Sequence, residues 1–342
     1  MMSRLMPSLM NHQLKTPCPI SALAVDQSER LFAGSDDGSV RIFDSATWKL
    51  VHAIRGLPNE ISSIACSDTS AWLACGRAAY AFSMSSQKLV QNASDAALVL
   101  TLGEDEDDVL NELALGVSGS HMAFSTDSGA VGVVNLSTSS VQRMKTRHSS
   151  ICGIVRFIPD RPRELVSAGY DSAILHFDFL LGTTLSRRDL TAAPASEGIS
   201  LSPPFVMSAA LSPTGAMAVG TADGQLWIGF GGDKGDPADK STKKKRSRKW
   251  EGLNPDDEVV EKVAEGPIVA MAFLNSSALL VSTLLGTLME FTLSRQEEGL
   301  RITKSHEQQT GVAKVNVVLR VKEHTVVAGL TSDSKGIIEI WD

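Results

Sequence analysis

RLFAGSDDGSVRIFD, residues 30–44, is the stretch on which the fold turns. It reads as a strand of small and apolar residues, a tight turn at Asp36-Asp37-Gly38, and a second strand with Val40 and Ile42 alternating with polar neighbours. Working outward, the same unit returns as ELVSAGYDSAILHFD at 164–178 and AMAVGTADGQLWIGF at 216–230. Looser copies are HMAFSTDSGAVGVVN (121–135), ALLVSTLLGTLMEF (278–291) and TVVAGLTSDSKGIIEIWD (325–342); WLACGRAAYAFSM (72–84) is the most degraded.

The spacing says what the unit builds. Asp37 and Asp171 lie 134 positions apart, three repeats of about 45 residues, the length of a four-stranded propeller blade. Helical periodicity is nearly absent, and the apolar stretches are short and bounded by Gly, Asp, Ser or Pro. The sequence therefore predicts an all-β chain forming one seven-bladed β-propeller over residues 1–342. The seventh copy stops at IIEIWD without an outer strand, and the stretch Asn11–Thr16, ahead of a first inner strand at Ile20–Val25, can supply it. Such a joint closes the ring and removes two open strand edges.

The bulk properties narrow the class. A net charge of −7 argues against nucleic acid or an acidic membrane as main partner. No apolar run approaches the ~18–20 residues of a spanning helix, and Met1–Met10 is too poor in apolar length for a signal peptide. Cys18, Cys66, Cys75 and Cys152 have no metal or disulfide spacing, so free thiols in a reducing compartment are expected, nuclear or cytoplasmic. Two segments break the rhythm. Glu104–Asp108 is an acidic run, expected to be a solvated loop between blades two and three. Gly231–Glu251, rich in Gly, Pro and Lys, is expected to be a disordered basic loop inside blade five. Its run Lys243, Lys244, Lys245, Arg246, Arg248 and Lys249 is a candidate nuclear-import signal.

Blade four carries a further resemblance. His148 precedes its first strand, Ser167 lies on the second, Asp171 in the turn, and Phe177-Asp178 ends the third. This resembles the WD repeat, whose His, Ser/Thr, Asp and Trp form a buried hydrogen-bond network, with Phe177 here in the place of Trp. Blade one keeps Asp37 and Phe43-Asp44 but has Ala33 for the Ser; blade five keeps Asp223; only the last blade has Trp341-Asp342. The stretch Val109–Asp178, KVNVVL at 314–319 and TADGQLWI at 221–228 are similar to the WD-repeat protein 53 family. That resemblance implies an adaptor linked to the cullin-4 ubiquitin ligase through a Trp-Asp-x-Arg motif. The sequence departs from the motif: Ala46 follows Asp44 by two places, Leu180 follows Asp178, and Asp342 is the last residue.

Catalysis finds no support. The seven histidines are scattered without metal spacing. The glycines before Asp239-Lys240-Ser241 lack the Gly directly ahead of Lys-Ser that a phosphate loop needs. With two tyrosines in the chain, a sugar-cleaving site is also poorly supplied. No catalytic, cofactor or metal site is expected. A monomeric scaffold or adaptor for other proteins is, with a ribosome-assembly or RNA-associated factor as the alternative. The turns crowd one rim of a propeller, so Asp36, Arg77 and Tyr170 are the candidate partner-binding residues.

Overall fold

The computed structural model describes residues 10–192, 202–232, 249–296 and 299–342. Among these the chain forms seven sheets, six four-stranded and one five-stranded, arranged as successive blades of a closed propeller. The inner strands run Ile20–Val25, Ile61–Cys66, Leu110–Leu115, Cys152–Phe157, Val206–Leu211, Ile268–Phe273 and Lys314–Val321. Each continues outward through antiparallel neighbours of the same repeat. In the last blade the outer place is taken by Met10–Thr16, antiparallel to Gly336–Trp341, with Leu14 opposite Ile338. The ring closes there as the sequence predicts.

The blades stay together because both faces of each middle strand are buried. Glu164–Gly169 and Gln225–Gly229 are buried at every residue, which explains why the middle strands read as small and β-branched residues without alternation. The apolar clusters lie between blades. Phe32 and Ile42 of blade one pack with Leu73 and Phe82 of blade two, and Phe43 and Ile20 pack with Val326 and Ile340 of blade seven.

Each inner strand begins with a bulge, at Ser21, Ser62, Asn111, Gly153, Met207, Val269 and Asn316. Where the bulged residue is polar, its side chain reaches the next blade. Ser21 Oγ donates to the Ile61 carbonyl at 2.8 Å, Asn111 Nδ2 to Cys152 O at 3.1 Å, and Asn316 Nδ2 across the closure to Ile20 O at 2.8 Å. Ser62 does the same toward Leu110. Gly153 cannot, so blades four and five lack this bolt at the channel. They are joined at the outside, where Glu258 accepts from Arg188 Nε and from Trp227 Nε1, both at 2.8 Å.

Candidate functional site

One end of the ring carries the turn between the second and third strands of each blade and the loop that enters the blade. Gly38 shows how close they come. Its φ is +70°, and a Cβ there would lie 2.2 Å from the Leu57 carbonyl oxygen. Only glycine meets both conditions.

In blade four the two segments are tied by side chains. His148 Nδ1 lies 2.8 Å from Asp171 Oδ1, and Nε2 lies 2.7 Å from Ser167 Oγ. Asp171 Oδ2 also accepts from the Ser149 amide at 3.0 Å. Asp171 can only accept, so Nδ1 carries the proton and Nε2 accepts from the Ser167 hydroxyl; the imidazole is neutral. Burial pushes its pKa down, and the Asp171 carboxylate only partly offsets this. Gly169 makes the room. A Cβ on it would come within 2.5 Å of the Ile151 carbonyl and 3.1 Å of His148 Nδ1. Phe177, where the WD repeat has Trp, is fully buried among Leu165, Cys152 and Phe179.

The other turn aspartates bond mainly within their own turns, although Asp37 also accepts from the Cys18 thiol of the entering segment. Asp37 accepts from the Ser39 amide and hydroxyl. Asp223 accepts from Thr221 Oγ1 at 2.5 Å and Gln225 Nε2 at 2.6 Å. A hydroxyl two places before the turn residue, as at Thr221, fills the space that Gly169 leaves for a histidine.

The acidic run 104–108 is solvated as expected at Asp105, Glu106 and Asp107, but its two ends are engaged. Asp108 is buried and accepts from the Ser128 amide at 2.9 Å and from the Ser128 hydroxyl at 3.2 Å, so it ties the entering loop to the turn of blade three with the acid on the loop side. Glu104 pairs with Arg147, at 2.7 and 2.6 Å, and with Arg143. Composition hid this, because a carboxylate in an acidic run is solvated unless donors are folded onto it.

Of the candidate rim residues, Asp36 is exposed and Arg77 half-buried. Tyr170 is half-buried, its ring stacked on Phe205 at 5.8 Å and 16°. Burial and Asp37 raise the Asp36 pKa while Lys314 opposes them; Glu60 shifts the same way by burial and the nearness of Asp36. Sequence reading missed Leu285. It takes the place that Asp37, Asp171 and Asp223 hold in their turns, yet it is 69% exposed. With Val263, Pro267, Leu284 and Met289 it lines an open groove of about 620 Å³ between blades five and six. The signal was present as Leu284-Leu285-Gly286 in the sixth copy.

The run at 243–248 lies outside the described residues, but both ends of the 231–251 segment are built into the blade. Trp250 is 1% exposed. Its amide donates to Glu164 Oε2 at 2.9 Å, its indole N–H to the Gly215 carbonyl at 2.8 Å, and its ring meets His176 edge-on. The disordered reading therefore does not extend to Trp250, and that ring is not available to stack on a base.

The channel encloses about 250 Å³, and its main charges are Glu112 and Arg156, which pair with each other. Among the described residues no cluster of His, Cys, Asp or Glu could hold a metal ion. The four cysteines are free, and burial pushes the Cys66 and Cys152 thiols up to about 12. Among those residues no helix is long and apolar enough to cross a membrane.

Residues 6–44 match the WD40 family, described as WD domain, G-beta repeat. With seven blades in a closed ring, six four-stranded and one five-stranded, the chain is a WD40-repeat β-propeller. Within that class it is 24% identical over 223 residues to the WD repeat-containing protein 53 homolog of Dictyostelium discoideum. The match covers 59% of this chain, and the chain spans 59% of the length of that curated relative.

Proposed function

We propose that this propeller is a non-catalytic scaffold or adaptor that holds a partner protein on the rim formed by the turns and entering loops. The observation that carries the reading is Leu285, a large apolar side chain left in solvent where other blades place a polar turn residue, beside an apolar groove. Exposed apolar surface rimmed by charge is what protein interfaces use, and Lys262, Glu265, Lys304 and Glu307 provide that rim. Asp36, Arg77 and the stacked Tyr170 extend the surface around the ring. WD40 propellers in general serve as protein-interaction scaffolds, which agrees with this surface.

The finer reading is a substrate receptor of a cullin-4 type ubiquitin ligase. It rests on the resemblance to the WD-repeat protein 53 family alone, since Ala46 and Leu180 stand where the docking Arg belongs. Affinity capture with mass spectrometry, comparing the native chain with Leu285→Glu, tests both levels. Partners retained by the native chain and lost from a folded Leu285→Glu variant support the rim. Cullin-ligase subunits among them support the receptor role, and pre-ribosomal particles would instead support the RNA-associated alternative. An unchanged partner set in Leu285→Glu removes the groove from the reading. The compartment, nuclear or cytoplasmic, is tested by neutralising Lys243–Lys249 in a fluorescent fusion, which should move to the cytoplasm if the run directs import.

A further inference from the structure

We propose that the outer edge of blade two takes up an extended segment of a partner protein by β-strand addition, a segment apolar along the pairing and basic at its amino-terminal end. The edge is the strand Leu98–Thr101, last in the order of its sheet, and among the described residues nothing pairs beyond it. Native proteins protect such edges with charges, prolines or a covering element. The other outer strands are covered, charged or very short. Leu50–Arg55 is covered in parallel by Val90–Asn92, itself an uncharged edge but only three residues long; Ser140–Arg143, Thr183–Asp189, Glu258–Lys262, Gly299–Gln309 and Met10–Thr16 all carry charged residues. Leu98–Thr101 reads LVLT, with neither charge nor proline. Leu98 and Val99 are 37% and 46% exposed, and Leu89 and Val90 of the segment just before are exposed as well.

The ladder shows which backbone groups are open. Leu102 N–H donates to the Arg77 carbonyl, and the register sets Leu100 opposite Ala79 and Leu98 opposite Ala81. In an antiparallel ladder the bonded positions alternate. The N–H and C=O of Val99 and Thr101 therefore point away from the sheet, ready to bond a further strand.

Charge complementarity selects the occupant. Beyond the strand, with three residues between, come Asp105, Glu106 and Asp107, all exposed and without an ion pair among the described residues, whereas Glu104 and Asp108 of the same run are engaged. A partner strand running antiparallel brings its amino-terminal end to this acidic turn, so basic residues belong there. A second copy of the chain fits less well. It would bring Lys88 and Asp95 to the turn, and those two already pair with each other.

The test uses the full chain and two labelled peptides, Lys-Lys-Lys-Gly-Val-Thr-Val-Thr-Val and the same sequence with three Glu for the Lys. Val99→Pro removes an outward N–H and leaves the inward ladder whole, a position where an edge strand tolerates proline. The lysine peptide should bind the native chain at least tenfold more tightly than it binds Val99→Pro, and at least fivefold more tightly than the glutamate peptide does. It should also slow hydrogen exchange at the Thr101 amide. Replacing Asp105, Glu106 and Asp107 with Ser should abolish the difference between the peptides. If Val99→Pro melts well below the native chain, Thr101→Pro, which removes the other outward donor, takes its place. The site lies on the wall of the ring and not on the rim, so Leu285→Glu should bind the peptide as the native chain does. Equal binding by the proline variant overturns the proposal, as does binding of neither peptide. A self-associated dimer that the proline variant dissolves, with no effect of peptide, would overturn it in favour of a second copy.

Discussion

At the residue scale, the pair formed by His148 and Asp171 separates this chain's blade four from the others. Asp171→Ala strands a buried imidazole N–H and should cost roughly 1–3 kcal/mol. Asp223→Ala should cost less, although Asp223 is buried too. Its donors have second partners: Thr221 Oγ1 also reaches the Gln225 carbonyl at 3.1 Å, and Gln225 Nε2 the Thr191 carbonyl at 3.2 Å. Urea denaturation of both variants checks this, and the Asp171 loss should largely vanish in a His148→Ala background. Equal losses for the two aspartates, additive with His148→Ala, would leave no blade-four network. The same histidine sets a pH dependence. His148 and His176 both have pKa values pushed below 6.5, in each case chiefly by burial and against the pull of Asp171 or Glu164. The unfolded chain therefore binds more protons than the folded one as the pH falls below about 6.5. Their contribution to stability is complete above that pH and is lost toward acid. Melting from pH 7.5 to 5 should show a falling midpoint, and a smaller fall in His148→Asn.

At the scale of the element, the strand pair of blade five and the segment between its members behave as two different things. Gly229, Gly232 and Gly252 surround the rings of Trp227 and Trp250, and a Cβ at Gly252 would lie 1.8 Å from a Trp250 ring carbon. Gly232, inside the segment expected to be loose, and Gly229 and Gly252 on either side of it are small because an indole occupies the space beside them. Trp250→Ala should therefore destabilise the fold by about 3–5 kcal/mol, as large buried truncations do. Replacing residues 233–248 with a short Gly-Ser bridge should shift the thermal midpoint by less than ~5 °C, because that stretch has little apolar surface to bury. Differential scanning calorimetry distinguishes the two. A large loss on bridging would show that the stretch contributes to the fold, and a silent Trp250→Ala would show that the glycine cage does not.

For the whole molecule, stability depends on closing the ring. Met10–Thr16 pairs with Gly336–Trp341 along its length, Asn11 and His324 both bond Asp342, and Asn316 bolts blade seven to blade one. Removing residues 1–16 exposes the edge of the apolar strand Gly336–Trp341 and leaves its backbone groups without partners. The truncated chain should aggregate or be recovered poorly in soluble form, as size-exclusion chromatography would show. A monomeric truncation with the native melting temperature would contradict closure through this strand.

The architecture was legible in the chain because a propeller repeats one local solution. The Asp/Gly turns, the small middle strands and the spacing of about 45 residues are set by near neighbours, and they gave the blade number, the inner strand at Ile20–Val25 and the closing strand. His148, Ser167 and Asp171 could be picked out for the same reason, as positions within one repeat. What lay beyond the sequence depends on contacts between segments far apart along the chain. Asp108 became a buried tie because Ser128 folds over it, Tyr170 lost exposure to Phe205, and Trp250 left its polar loop for a site built by Glu164 and Gly215. Burial is a property of the neighbours that the fold assembles, and a polar or apolar side chain does not announce in its own segment which neighbours those are. The sequence by itself determined the ring. Which side chains face solvent, Leu285 and the strand Leu98–Thr101 among them, was decided only when the blades packed.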